Sequence, residues 1–229
     1  MRIAIVQSNY IPWKGYFDLI RAVDEFVLFD DVQYTRRDWR NRNRIKTAHG
    51  PAWLTVPVRA SGHFLSPIKD IAVSDPAFGE RHWRSVRASY ARAAHFPAYA
   101  DRLEALFVEP RQPMLSLVNR RWIEALCGIL GIHTKLSWSM DYDAAPGRTQ
   151  RLVSICRQAG ADTYVSGPAA RAYLDERAFR DAGIEVRYFD YTGYPEYEQL
   201  FPPFDHHVSV IDLILNTGPR AAQYLRRAS

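Results

Sequence analysis

Apolar residues run without a break at Ile3-Ala4-Ile5-Val6 and again at Phe26-Val27-Leu28-Phe29. Runs of this kind fit strands of a parallel sheet that are buried on both faces. Between them lie a turn from Ser8 to Gly15 and a short amphipathic segment from Tyr16 to Val23. Strand, turn, helix and strand in so short a stretch make a βαβ unit with a right-handed crossover. Ligands of such sheets sit beyond the carboxyl ends of the strands. Those ends carry Gln7 through Gly15 after the first strand and Asp30 to Tyr34 after the second.

Residues 33–46, QYTRRDWRNRNRIK, show no apolar periodicity and read as a loop or extended arm. Residues 53–58, WLTVPV, read as a strand in which Pro57 favours an edge or end position. Helical spacing covers 77–107 with a break at Pro97, and a clearer helix spans 113–130, stopped by Gly131. Alternation then returns with a helix from Arg148 to Gln158, a strand from Thr163 to Ser166, one or two helices between Ala169 and Ala182, and a strand from Ile184 to Tyr188. A proline- and aromatic-rich loop from Phe189 to Phe204 leads to an apolar helix from Val208 to Leu215, with Asp205 placed to cap it. The expected fold class is α/β. It is a single domain, 1–229, with a parallel Rossmann-like sheet and a helical insertion at about 75–133.

With 229 residues, 47% hydrophobic and 24% charged, the chain can bury a substantial core and is not expected to be disordered. No apolar run approaches the roughly 20 residues of a membrane helix, and the N-terminal run is too short for a signal peptide. A cytoplasmic protein without a membrane span is the expectation. Cys127 and Cys156 both fall in helical segments, as core residues would, which argues against a disulfide scaffold. The net charge is +5, and arginine supplies 26 of the 30 basic residues. A planar guanidinium suits phosphate and carboxylate, so the bias fits a nucleotide, a nucleotide-sugar or RNA. Genomic base composition produces the same bias.

Three constellations carry candidate chemistry. The first is the turn with Gln7, Asn9, Tyr10, Trp13, Lys14, Gly15 and Tyr16, joined by Asp30 and Asp31 after the next strand. Free N–H groups at a helix start favour phosphate, and a carboxylate pair at a sheet edge can supply a general base or a metal ligand. Plain turn packing would use the same residues. The second is the arm with Arg36, Arg37, Arg40, Arg42 and Arg44, interleaved with Tyr34, Trp39, Asn41 and Asn43. Arginine forks clamp phosphates and an interleaved ring can stack a base, although charged loops are commonly just solvated. The third is the strand-to-helix turn with Ser166, Gly167 and Arg171, a weak signal alone. His49, His63, His82, His95, His133, His206 and His207 show no HExxH spacing, and CxxC, GxSxG, GxxxxGK[ST] and GxGxxG are absent. These absences argue against a dedicated zinc site, and no motif points to a particular cofactor or metal.

The opening IAIVQSNYIPWKGYFDLIRAVDEFVLFDDVQYTRRDWRNRNRIK resembles the signature of the WbqC-like family. The resemblance continues through GPAWLTVPV, YARAAHFPAY, YVSGPAARAYL, AGIEV, YPEYEQLF and SVIDLILNTG, so it covers nearly the whole chain. It implies a role in building O-antigen, lipopolysaccharide or other surface glycans, as an acyl or aminoacyl transferase to an amino-sugar. More distantly, the opening resembles the HxGH class of nucleotidylyltransferases and pantoate–β-alanine ligases. There Trp13-Lys14-Gly15-Tyr16 takes the place of H-x-G-H, keeping the glycine and replacing both histidines. Ser166 to Arg171 resembles the second phosphate-binding turn of that class. Losing both imidazoles removes the groups that stabilise a transferring phosphate, which argues against adenylyl transfer.

Two readings stand. In the first, an amide-forming transferase holds a nucleotide-activated amino-sugar, or another phosphorylated small molecule, on the first turn and the arginine arm. Asp30 or Asp31 would be its base and Tyr10 or Tyr16 its orienting hydroxyl; aminoacyl-tRNA is one donor the basic arm permits. In the second, a non-catalytic protein uses the same arm to bind a nucleotide or RNA.

Overall fold

The computed structural model describes residues 1–60, 65–109 and 112–225, so His63 lies outside the described residues. Five strands form one parallel sheet: β1 (Arg2–Val6), β2 (Glu25–Leu28), β5 (Lys135–Trp138), β6 (Thr163–Ser166) and β7 (Glu185–Tyr188). Their order is β5-β2-β1-β6-β7. β1 is central, paired with β2 from Ile3↔Glu25 to Val6↔Leu28 and with β6 at Arg2↔Thr163 and Ile3↔Tyr164.

Alternate side chains of β1 leave the sheet on opposite faces. Ala4 joins a core with Phe17 and Ile20 of α1 (Lys14–Arg21) and with Trp122 and Ile123 of α4 (Leu115–Leu130). Ile3 and Ile5 join a second core with Leu152 and Ile155 of α5 (Arg148–Gln158) and Phe179 of α6 (Glu176–Asp181). Burying an Ile or Phe in such a layer contributes about 1.5–3 kcal/mol. The chain thus winds from β1 through β2 to β5 with its crossover helices on one face. It then returns past β1 and winds through β6 to β7 with them on the other, as right-handed crossovers require. The switch point, where such sheets hold ligands, lies between β1 and β6.

Between β2 and β5 the chain inserts an antiparallel hairpin, β3 (Arg42–Thr47) with β4 (Gly50–Thr55), and the helices α2 (Phe78–Tyr90) and α3 (Phe96–Val108). Pro97 sits in the first turn of α3, where its missing N–H costs nothing, and Gly131 ends α4 at φ 68°.

Three expectations needed correction. The segment expected as a loop contains β3, whose inward residues include Asn43 as well as Ile45. A strand with an amide on its inner face shows no apolar alternation. β5 went unrecognised because Lys135 and Ser137 are polar; both donate to the buried Glu25 of the neighbouring strand. The last helix, α7 (Val210–Thr217), is capped by Ser209, whose Oγ accepts from the Ile211 N–H, while Asp205 instead takes the His207 N–H.

Candidate functional site

A crevice of about 560 Å3 opens at the switch point. Val6 and Gln7 from the end of β1, Ser166 and Gly167 from the end of β6, and Arg40, Arg148 and Arg151 line it. Gly147 precedes α5 and offers no side chain to cap it, which leaves the first N–H groups of that helix for another acceptor. Helix polarity and three guanidinium groups therefore favour an anion at one place. A larger groove of about 690 Å3 lies between α5 and α6, but its lining is mostly Ala, Val, Ser and Gln, and it is away from the strand ends.

Each crevice arginine is held by neighbours. Arg40 donates to Asn9 Oδ1 and to the Gln7 carbonyl at 3.4 Å, with Asp38 at 3.5 Å. Arg151 pairs with Asp31, which also accepts from Ser139 Oγ, and its guanidinium lies 5.6 Å from the Phe29 ring centre. Arg148 stacks 4.0 Å from the Tyr173 ring centre and stays exposed. Among the described residues the Gln7 side-chain amide has no hydrogen-bond partner, so it remains available to a ligand.

The two aspartates are in different situations. Asp30 is fully buried and accepts the N–H and hydroxyl of Ser8; Asn119 donates onward to Ser8 Oγ at 2.9 Å and to the Arg40 carbonyl at 2.9 Å. Burial raises its pKa, against the opposing hydrogen bonds from Ser8. Asp31 keeps some exposure and is tied to a crevice arginine. Among the described residues no three His, Cys, Asp or Glu side chains gather to hold a metal ion.

Several other sequence candidates lie elsewhere. Tyr10 is buried in the core, edge-on to Phe78 and Trp122, with its hydroxyl 2.9 Å from His82 Nδ1. The Tyr16 hydroxyl donates to the Gln7 carbonyl at 3.1 Å and so steadies the end of β1. Trp13 packs on Tyr191, Tyr194 and His207. Lys14 is buried, donating to the Pro195 carbonyl at 3.0 Å among the rings of Tyr194, Tyr197 and Phe204. Burial pulls its pKa down to about 8, with Asp212, Glu196 and Asp18 opposing the shift. Asn41 and Asn43 are buried braces that donate to the Val56 and Tyr10 carbonyls. Arg171 is exposed, stacked 4.2 Å from the Tyr188 ring centre. Arg37, Trp39 and Arg42 belong to the outer side of the hairpin. Cys127 and Cys156 are buried, and burial pushes both thiols up to about 12, leaving them inert at neutral pH.

The sequence reading missed Arg148 and Arg151. They begin a helix with ordinary amphipathic spacing, and only the sheet order brings that helix start to the end of β1. Had the switch point been placed from the order of the strands, the basic first turn after β5 would have been the signal.

The chain is a doubly wound parallel α/β domain with an arginine-lined crevice at its switch point, the place where ligands of such sheets sit. The chain is a member of the WbqC-like protein family, whose profile matches residues 7–224. It is 51% identical over 225 residues to the "Uncharacterized protein Rv1507c" of Mycobacterium tuberculosis, covering 98% of this chain and 97% of that one. No solved structure matches it significantly.

Proposed function

We propose that the chain is a transferase of surface-glycan assembly that forms an amide on a nucleotide-activated amino-sugar held in the switch-point crevice. The observation that supports this most is the convergence of Arg40, Arg148, Arg151 and the uncapped start of α5 on one crevice of about 560 Å3. A diphosphate matches that set in charge, and guanidinium and helix-start N–H groups are donors suited to it. Gln7 and Ser166 supply neutral donors and acceptors for the sugar or ribose.

In the transfer, the sugar amine attacks an activated acyl or aminoacyl ester. The N–C bond forms, the ester oxygen leaves with its electron pair, and the amine proton passes to a carboxylate. Asp31 is our choice for that base. It is paired with Arg151, so a phosphate that draws Arg151 away frees Asp31 beside the bound ligand. Asp30, enclosed by Ser8, is a bracing group instead.

Native mass spectrometry of the protein purified from its own host, with denaturation to release bound species, tests the reading. A nucleoside-diphosphate amino-sugar is expected. A protein that carries no nucleotide and forms no amide from such sugars and activated acyl esters overturns it.

A further inference from the structure

The outer side of the β3–β4 hairpin and the turn before it carry an aromatic pair that no internal packing explains. Trp39 is 39% exposed and Trp53 46%, their ring centres 5.4 Å apart and tilted by 38°. Arg42 lies 4.2 Å above the Trp53 ring, and Arg44 lies 5.7 Å from Trp53 and 6.0 Å from Trp39. The register explains the arrangement, because Arg44 faces Trp53 directly and Arg42 faces Thr55 two pairs further along, on the same face. Arg37, at the approach to the strand, is exposed and has no side-chain partner among the described residues. Over residues 33–46 six basic side chains stand against one acid.

We infer that this face is a binding platform for single-stranded nucleic acid. Each half-exposed indole offers a surface on which a base can stack. Each arginine beside the rings keeps a terminal N–H group for the phosphates that follow each base. Arg42 gives one nitrogen to the Arg37 carbonyl, and Arg44 gives two to the His207 carbonyl with the Asp205 carboxylate 4.0 Å away; both keep a further terminal N–H group. A neutral glycan would also stack on tryptophan but has no use for the arginine row. A second copy of the chain would set one arginine row against another. A double helix hides its base faces, so the exposed rings favour unpaired nucleotides.

The inference does not depend on the crevice ligand. The platform lies on the inserted hairpin and the turn before it, outside the parallel sheet, and none of its four central residues lines the crevice.

Fluorescence anisotropy with a labelled oligouridylate of about 12 nucleotides tests it, using full-length protein. Binding is expected to weaken steeply with salt, by about 0.7 in log–log slope for each phosphate engaged. Trp53→Ala should cut affinity at least about tenfold, and Arg42→Ala should lower the slope by about one phosphate. Both variants should keep wild-type circular dichroism, because Trp53 is exposed and Arg42 is half-exposed on the same outer face, away from the core. Arg151→Ala should bind the oligonucleotide as wild type does, which separates this site from the crevice. No binding at low salt, equal binding by folded Trp53→Ala, or a preference for duplex over single strand would each overturn the inference. So would concentration-dependent dimerisation abolished by Trp53→Ala, or retention of a neutral polysaccharide in place of the oligonucleotide.

Discussion

Ser8 gives both its backbone N–H, at 2.8 Å, and its hydroxyl, at 2.6 Å, to the buried carboxylate of Asp30. The pair ties the end of β1 to the end of β2, and Asn119 of α4 extends the tie to the Arg40 carbonyl. One buried carboxylate therefore sets the backbone on which Gln7 and Arg40 reach the crevice. Asp30→Ala leaves two buried donors unmatched and should cost about 2–4 kcal/mol, whereas Asp30→Asn, which keeps an acceptor, should cost about 1 kcal/mol. Urea denaturation of the two variants checks the order.

Crevice chemistry predicts opposite signs for two substitutions at one ion pair. Arg151→Ala should weaken nucleoside-diphosphate binding by about ten- to a hundredfold, as loss of a charge-assisted contact does. Asp31→Asn releases Arg151 from its intramolecular partner and should tighten the same ligand while abolishing amide formation. Calorimetric titration and a turnover assay on each variant measure both effects. If Asp31→Asn turns over normally, Asp31 is not the base.

His82 should make the fold sensitive to mild acid. Its Nε2 faces the Thr55 carbonyl at 3.2 Å and must carry the hydrogen, so Nδ1 accepts from the Tyr10 hydroxyl. Burial pulls its pKa from 6.5 down to about 4. The unfolded chain takes up a proton below 6.5 while the folded chain does not until about 4, so stability falls as pH drops through that window. The loss should total about 3 kcal/mol, and His82→Gln should lack it. Asp30 works the other way, since a raised folded pKa favours the fold as pH falls, so the comparison is made between wild type and His82→Gln.

Lys14 gives a negative prediction for the crevice. Its Nζ is enclosed by Pro195 and three aromatic rings, so Lys14→Met should leave nucleotide affinity within about twofold. The folded pKa of about 8 lies below the ordinary 10.5. Relative to Lys14→Met, wild type should therefore gain stability as pH rises from about 8 to 10.5, which chemical denaturation across that range reads out.

Most of the sheet was legible because its inner strands are continuous apolar runs. Ile3 to Val6 and Phe26 to Leu28 fit buried strands separated by one short crossover, and Thr163 to Ser166 follows a clean amphipathic helix. The hairpin was not, since Asn43 fills an inward position and satisfies the Tyr10 carbonyl there. Residue type alone marked the region of the site but could not say which polar groups look inward. Lys14, Asn41, Asn43 and Asp30 read as ligand-facing, and the structure buries each of them against partners in segments distant along the chain. Arg148 and Arg151 had no motif, and their place in the crevice follows from strand order alone.

Isothermal titration of the purified protein with ADP, GDP, UDP, CDP and dTDP tests the central claim most directly. At least one should bind at micromolar to low-millimolar concentration, and that binding should be lost in the Arg148→Ala/Arg151→Ala double variant. If no diphosphate binds, or if the folded double variant binds as well as wild type, the switch-point crevice is not a nucleotide site.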